Sequence, residues 1–212
     1  MSLTINDIQR HPVIPVVEID RAENAVPLAE AIVEGGINII EITLRTDAAI
    51  DAIDRIRKRV PTMLAGAGTV LTREQGKRVR EAGAQFGVAP GLDQELVEDF
   101  KQYDMPFIPG VMTPSEFTQA HRLGCSMVKF FPAESAGGVK FLKAISGPFQ
   151  SSGMTVCATG GVTLSNMQSY LDMPMVSAVG GSWLATRQQI AEGQWKEITV
   201  QVQDTVARIS KS

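Results

Sequence analysis

Residues Met63-Leu-Ala-Gly-Ala-Gly-Thr-Val-Leu-Thr-Arg-Glu-Gln75 hold the start of a strand–helix unit. The opening run, Met63–Val70, is short and apolar, which suits a strand buried on both faces. Thr72-Arg-Glu-Gln75 follows at once and reads as a capping box, so a helix begins there. Gly83 supplies a helix stop, and the next apolar run, Gln85–Ala89, starts just beyond it.

The same unit recurs in both directions. Further apolar runs lie at Val13–Val17, Ile37–Leu44, Pro106–Pro109, Ser126–Phe131, Thr155–Ala158 and Val176–Val179. Between them lie amphipathic stretches such as Ala22–Glu34 and Ala48–Arg59, with apolar positions at three- and four-residue steps. Thr113-Pro-Ser-Glu116 is a second capping box, with proline at the first helical position. Asp93 and Thr163 read as N-caps, and Gly35 and Gly124 as helix stops. About eight such units predict an α/β fold, a TIM (β/α)8 barrel in one domain spanning residues 1–212. A doubly wound open sheet is the alternative. The segment before Pro12 predicts an extra N-terminal helix over the barrel floor, and Gln188 to Ile209 one or two C-terminal helices.

Composition narrows the function. In 212 residues, 44% hydrophobic and 20% charged, the chain can bury a sizeable core. A net charge of −3 without a basic block argues against nucleic acid as a partner. No signal peptide and no membrane span is read in the chain. The two cysteines, Cys125 and Cys157, sit in apolar segments and are expected to be reduced. These features predict a cytoplasmic enzyme. Two histidines, His11 and His121, cannot supply the cluster a zinc site needs. No hydrolytic triad, dinucleotide fingerprint or Walker loop is present.

Barrel enzymes work at the C-terminal ends of their strands, and phosphate commonly sits after the last two. There the chain places Thr159-Gly160-Gly161 and Gly180-Gly181-Ser182, two glycine turns read as feeding helical segments. Such turns let backbone N–H groups approach an anion. Tight turning alone would also explain either one. The sixth run, Met127-Val-Lys-Phe-Phe131, buries a lysine in an apolar strand. Alternation points Met127, Lys129 and Phe131 toward the barrel axis. Burial disfavours the charged amine, as a Schiff-base lysine requires. An ion pair with Glu41 would also explain it, and the two roles are compatible. Glu41, Thr43 and Arg45 share an inward face at the end of the second run, suited to acid/base work and a carboxylate clamp, though an ion pair stabilising the polar barrel mouth would explain the Glu and Arg as well. The small residues of Ala65-Gly-Ala-Gly-Thr69 imply a close approach to the backbone, and Thr69, sharing a face with Ala65 and Ala67, could bond a substrate; tight barrel packing would also explain them.

The chain resembles the 2-keto-3-deoxy-6-phosphogluconate (KDPG) and 4-hydroxy-2-oxoglutarate aldolases. The matching segments are Glu41-Ile-Thr-Leu-Arg-Thr46, Gly66-Ala-Gly-Thr-Val-Leu71, Pro90-Gly91, Lys129-Phe-Phe-Pro-Ala-Glu134, Thr159-Gly-Gly161 and Gly180-Gly-Ser-Trp183. Ala158 and Ala89 stand where the family often has proline and serine. The resemblance implies a TIM barrel, a trimer, no metal or organic cofactor, and a phosphorylated sugar acid and pyruvate as small-molecule partners. It implies Lys129 as the imine-forming lysine and Glu41 as the acid/base. Arg45 and Thr69 would hold the carboxylate, Pro90 and Phe131 would line the pocket, and Thr159 would meet the sugar hydroxyls. Gly160, Gly161, Gly180, Gly181 and Ser182 would surround the phosphate. Leu44-Arg-Thr46 and Thr159 favour the gluconate over the galactonate substrate. From the residues alone, a sugar-phosphate isomerase or a phosphometabolite-binding protein stays open.

Overall fold

In the computed structural model, which describes residues 3–209, parallel strands alternate with helices along the chain. The strands are β1 (Val13–Val17), β2 (Ile39–Thr43), β3 (Leu64–Gly68), β4 (Gly87–Val88), β5 (Phe107–Ile108), β6 (Gly110–Val111), β7 (Met127–Phe130), β8 (Thr155–Thr159) and β9 (Val176–Gly181). Helix α1 (Ile5–Gln9) precedes them. Helices α2 (Ala25–Glu34), α3 (Ala49–Arg59), α4 (Arg73–Glu81), α5 (Gln94–Gln102), α6 (Pro114–Arg122), α7 (Gly138–Phe149) and α8 (Met167–Leu171) alternate with them. Helices α9 (Arg187–Glu192) and α10 (Trp195–Ile209) end the described chain.

Each strand pairs in parallel with its neighbour in sequence, except across Pro109, and β9 returns to pair with β1. β5 bonds to β4 and β6 bonds to β7, so the two ends of the sheet meet at Pro109. Proline has no N–H to give, and its carbonyl accepts the Lys129 N–H at 2.8 Å. The nine short strands are therefore the eight staves of a TIM barrel, the fifth broken at one residue. That stave runs on to Val111, past the Pro109 limit read from the sequence.

The N-terminal helix covers the floor, as expected. Ile8 is fully buried, and the Gln9 side-chain amide donates to Thr155 at the start of β8, 2.7 Å away. Thr4 and Asp7 form its capping box. The C-terminal segment is two helices, parted at Gly193 in a left-handed conformation.

Three local expectations change. Thr163 does not cap a helix with its side chain; α8 starts at Met167, and Asn166 reaches back to accept the Thr163 N–H at 2.7 Å. Gly35 does end α2 as its C-cap, but it stays right-handed and Gly36 behind it makes the left-handed turn. Gly35 is small for another reason: a Cβ there would lie 2.5 Å from Val202, where α10 packs on α2. Finally, a Cβ on Gly66 would strike the Phe86 ring and one on Gly68 would strike Glu41. The glycines thus take the barrel-side positions of β3, and Ala65 and Ala67 face the other way. Thr69 shares neither face, because its φ of 60° ends the alternation.

Candidate active site

A cleft of about 430 Å³ opens at the C-terminal ends of β1, β2, β7, β8 and β9. Its floor is set by β7. Phe130 turns outward and stacks on Phe141 of α7, centroids 5.7 Å apart, so alternation sends Lys129 inward. There the Lys129 Nζ lies 3.1 Å from Glu41 Oε1, both side chains buried. The same Nζ is 5.4 Å from the centre of the Phe131 ring, which lines the cleft. The lysine and glutamate sit beneath the cleft rather than on its wall.

Glu41 fits because β3 leaves room for it. A Cβ on Gly68 would lie 2.1 Å from Glu41 Oε1. Beside Lys129 on β8 stands Cys157, whose thiol burial pushes up to about 11. Its sulfur is 3.7 Å from the Thr159 hydroxyl. Thr43 lines the cleft, its hydroxyl donating to the Val17 carbonyl at 3.0 Å.

Thr159, Gly160, Gly161, Gly180, Gly181 and Ser182 form one wall of the cleft. Gly160 and Gly161 have φ of 99° and 81°, values that side chains rarely adopt. Gly180 and Gly181 end β9 rather than follow it, and each is pressed by a neighbour, Thr159 and Trp183 respectively. The glycine segments do not run directly into helices: α8 and α9 start at Met167 and Arg187, several residues on. An anion held there meets glycine backbone, and the start of α9, Thr186 and Arg187, lines the same cleft.

Arg45 lies just past β2, half-exposed on the cleft rim, 3.8 Å from Glu18. Thr69 and Pro90 follow β3 and β4 and are not among the cleft-lining residues. The Pro90 carbonyl packs so close to Gly110 that a Cβ there would sit 2.1 Å away.

The rim also carries a charged cluster that no local pattern in the sequence announces. Arg187 opens α9 and grips Asp20 through two bonds of 2.8 and 2.6 Å, while reaching Glu18 at 2.5 Å. These bonds hold the Asp20 carboxyl below the usual carboxylate range. Glu18 thereby stands between Arg187 and Arg45. The barrel rule already pointed to Glu18, the first residue past β1. The chain also pairs Glu134 with Tyr170, whose hydroxyl burial, then the carboxylate bond, pushes well above its ordinary value. Among the described residues, no group of three or more histidine, cysteine or acidic side chains is placed to hold a metal ion.

A parallel barrel with a buried lysine–carboxylate pair at the foot of a glycine-walled cleft defines a class of barrel enzyme. The sequence pattern of KDPG and KHG aldolase matches residues 4–201. The chain belongs to that family of carbon–carbon lyases. It is 44% identical to the KHG/KDPG aldolase of Escherichia coli (strain K12) over 92% of this chain and 91% of that one. A Legionella pneumophila KDPG aldolase, solved with pyruvate captured as a covalent carbinolamine, superposes with a TM-score of 0.92 at 41% identity, covering 96% and 98% of the two chains. The KDPG aldolase of Zymomonas mobilis ZM4 with 3-phosphoglycerate gives 0.86 at 37% identity, covering 95% and 94%.

Proposed function

We propose that the chain reversibly cleaves 2-keto-3-deoxy-6-phosphogluconate to pyruvate and glyceraldehyde 3-phosphate, and also 4-hydroxy-2-oxoglutarate to pyruvate and glyoxylate. The observation that carries this reading is the buried contact of Lys129 Nζ with Glu41 at 3.1 Å, under a cleft with a glycine wall. The Lys129 amine attacks the keto carbon to give a carbinolamine; Glu41 gives a proton to the departing hydroxyl, so water leaves, a protonated imine remains and Glu41 is left as carboxylate. Glu41 takes the C4 hydroxyl proton. The C3–C4 bond breaks, its electrons pass into the imine to form an enamine, and the aldehyde leaves. Glu41 returns the proton to C3, and water releases pyruvate and the free lysine.

Arg45 and Thr69 hold the pyruvate carboxylate, Phe131 and Pro90 flank the reacting carbons, and Thr159 meets the sugar hydroxyls. Gly160, Gly161, Gly180, Gly181 and Ser182 surround the phosphate. The imine is the electron sink, so the reaction draws on no metal or organic cofactor. Free Cys125 and Cys157 suit a reducing cytoplasm. No described helix is long and apolar enough to cross a membrane. The assembly is a homotrimer on the family resemblance; a solved chain of 26% identity, from a cage designed by fusing symmetric oligomeric domains, supports an oligomer.

Borohydride added with pyruvate tests the imine. A pyruvyl adduct on the peptide holding Lys129 is expected, and a Lys129→Met variant of unchanged circular dichroism should show neither adduct nor turnover. A folded wild-type protein without an adduct would remove the imine class and favour a sugar-phosphate isomerase.

A further inference from the structure

Glu134 closes the matched segment that begins at Lys129, yet it has no place on the cleft wall. It lies instead behind that wall. Its N–H donates to the Gly160 carbonyl at 3.0 Å, and the N–H of Ala133 donates to the Thr159 carbonyl at 2.8 Å. Its Cβ and Cγ crowd Gly161, where an added Cβ would lie 2.6 and 2.7 Å from them. Its carboxylate accepts the hydroxyl of Tyr170, from the fully buried ring on α8. Gly138, at φ 59°, passes close to the same contact: a Cβ there would lie 3.2 Å from both Glu134 Oε1 and the Tyr170 oxygen.

Two successive glycines with positive φ have little rigidity of their own. An anion site built from them binds well only if the backbone is held in shape beforehand, because ordering it on binding costs affinity. The support comes from Glu134, and Glu134 is held in turn by the hydroxyl of a fully buried ring. We propose that Tyr170 is a positioning residue, acting through Glu134 to hold Thr159-Gly160-Gly161 in the form that receives the phosphate-bearing end of the substrate. This rests on the aldolase reading above.

Tyr170→Phe removes one oxygen and keeps the ring. With the phosphorylated sugar acid its KM should rise about tenfold, while kcat, and both constants for unphosphorylated 4-hydroxy-2-oxoglutarate, stay within about twofold. Glu134→Ala should repeat that pattern. Glu134→Gln, which keeps an acceptor for the hydroxyl, should restore most of the affinity. An unchanged KM, or equal losses on both substrates, would overturn the proposal, since general loosening of the fold has no reason to single out phosphate. Should Tyr170→Phe fail to fold, Glu134→Ala at the exposed end of the contact decides alone. A wild-type protein inert on both substrates, with no pyruvate adduct, would instead remove the aldolase reading, and this inference with it.

Discussion

Lys129 is legible in the sequence because a charge inside an apolar run contradicts its surroundings, and such a contradiction calls for a cause. Glu41 is legible by alternation along β2. What alternation alone could not supply was the reason the pair can form, which is the missing side chain of Gly68. That residue lacks a left-handed φ, so its backbone would accept alanine. The added methyl would land 2.1 Å from Glu41 Oε1 and push the carboxylate aside. Gly68→Ala should therefore fold and still trap pyruvate on Lys129, while kcat falls about a hundredfold, the order expected when a catalytic group is displaced by an ångström. Steady-state rates beside borohydride trapping separate the two effects. A variant with normal kcat would show that Glu41 moves freely and that its placement is not limiting. Thr69 illustrates the opposite case. Its residue type invited a strand-face argument, but its positive φ removes it from the strand, and nothing in a period-two pattern announces that.

Among the elements, β1 coincides with its apolar run to the residue, whereas β4 and β5 shrink to two residues each within longer apolar runs. An apolar run records burial, and residues such as Phe86 and Ala89 are buried without belonging to a strand. Helix starts are legible wherever an N-cap side chain accepts a first-turn N–H, as at Thr72, Asp93 and Thr113. The rim cluster is not, because Arg187 and its partner Asp20 stand 167 positions apart. The same distance problem hides the contact between α4 and α5, where Arg73 forks onto buried Asp99 with bonds of 2.6 and 2.7 Å. The Arg73 bond holds the Asp99 carboxyl below its usual range. A carboxyl depressed by folding stabilises the fold above its unfolded value, and that contribution is lost as pH falls through the folded one. Arg73→Ala should thus lower Tm clearly at neutral pH, and the gap from wild type should narrow below about pH 4. Melting curves across that range check this; a gap that is constant with pH would mean Arg73 contributes by packing alone.

At the scale of the whole molecule, the barrel separates its two ends. The chemistry-bearing groups gather where β1, β2, β7, β8 and β9 finish, and α1 closes the opposite end, where the strands begin. The two ends share strands but no side chains: α1 reaches β8 at Thr155, its first residue, while the cleft takes Thr159, its last. Parallel strands carry this separation, since all of them start on one face and end on the other. The floor should therefore govern stability and leave the reaction alone. Ile8 is fully buried in the core, and truncating it to alanine leaves a cavity worth about 2–5 kcal/mol of unfolding free energy. Ile8→Ala should show that loss in urea titration, yet at temperatures below its transition keep kcat and KM near the wild-type values. Equal thermodynamic loss with a large fall in kcat would mean that packing at the floor is transmitted along the strands to Lys129, and that the barrel does not insulate its site from its foundation.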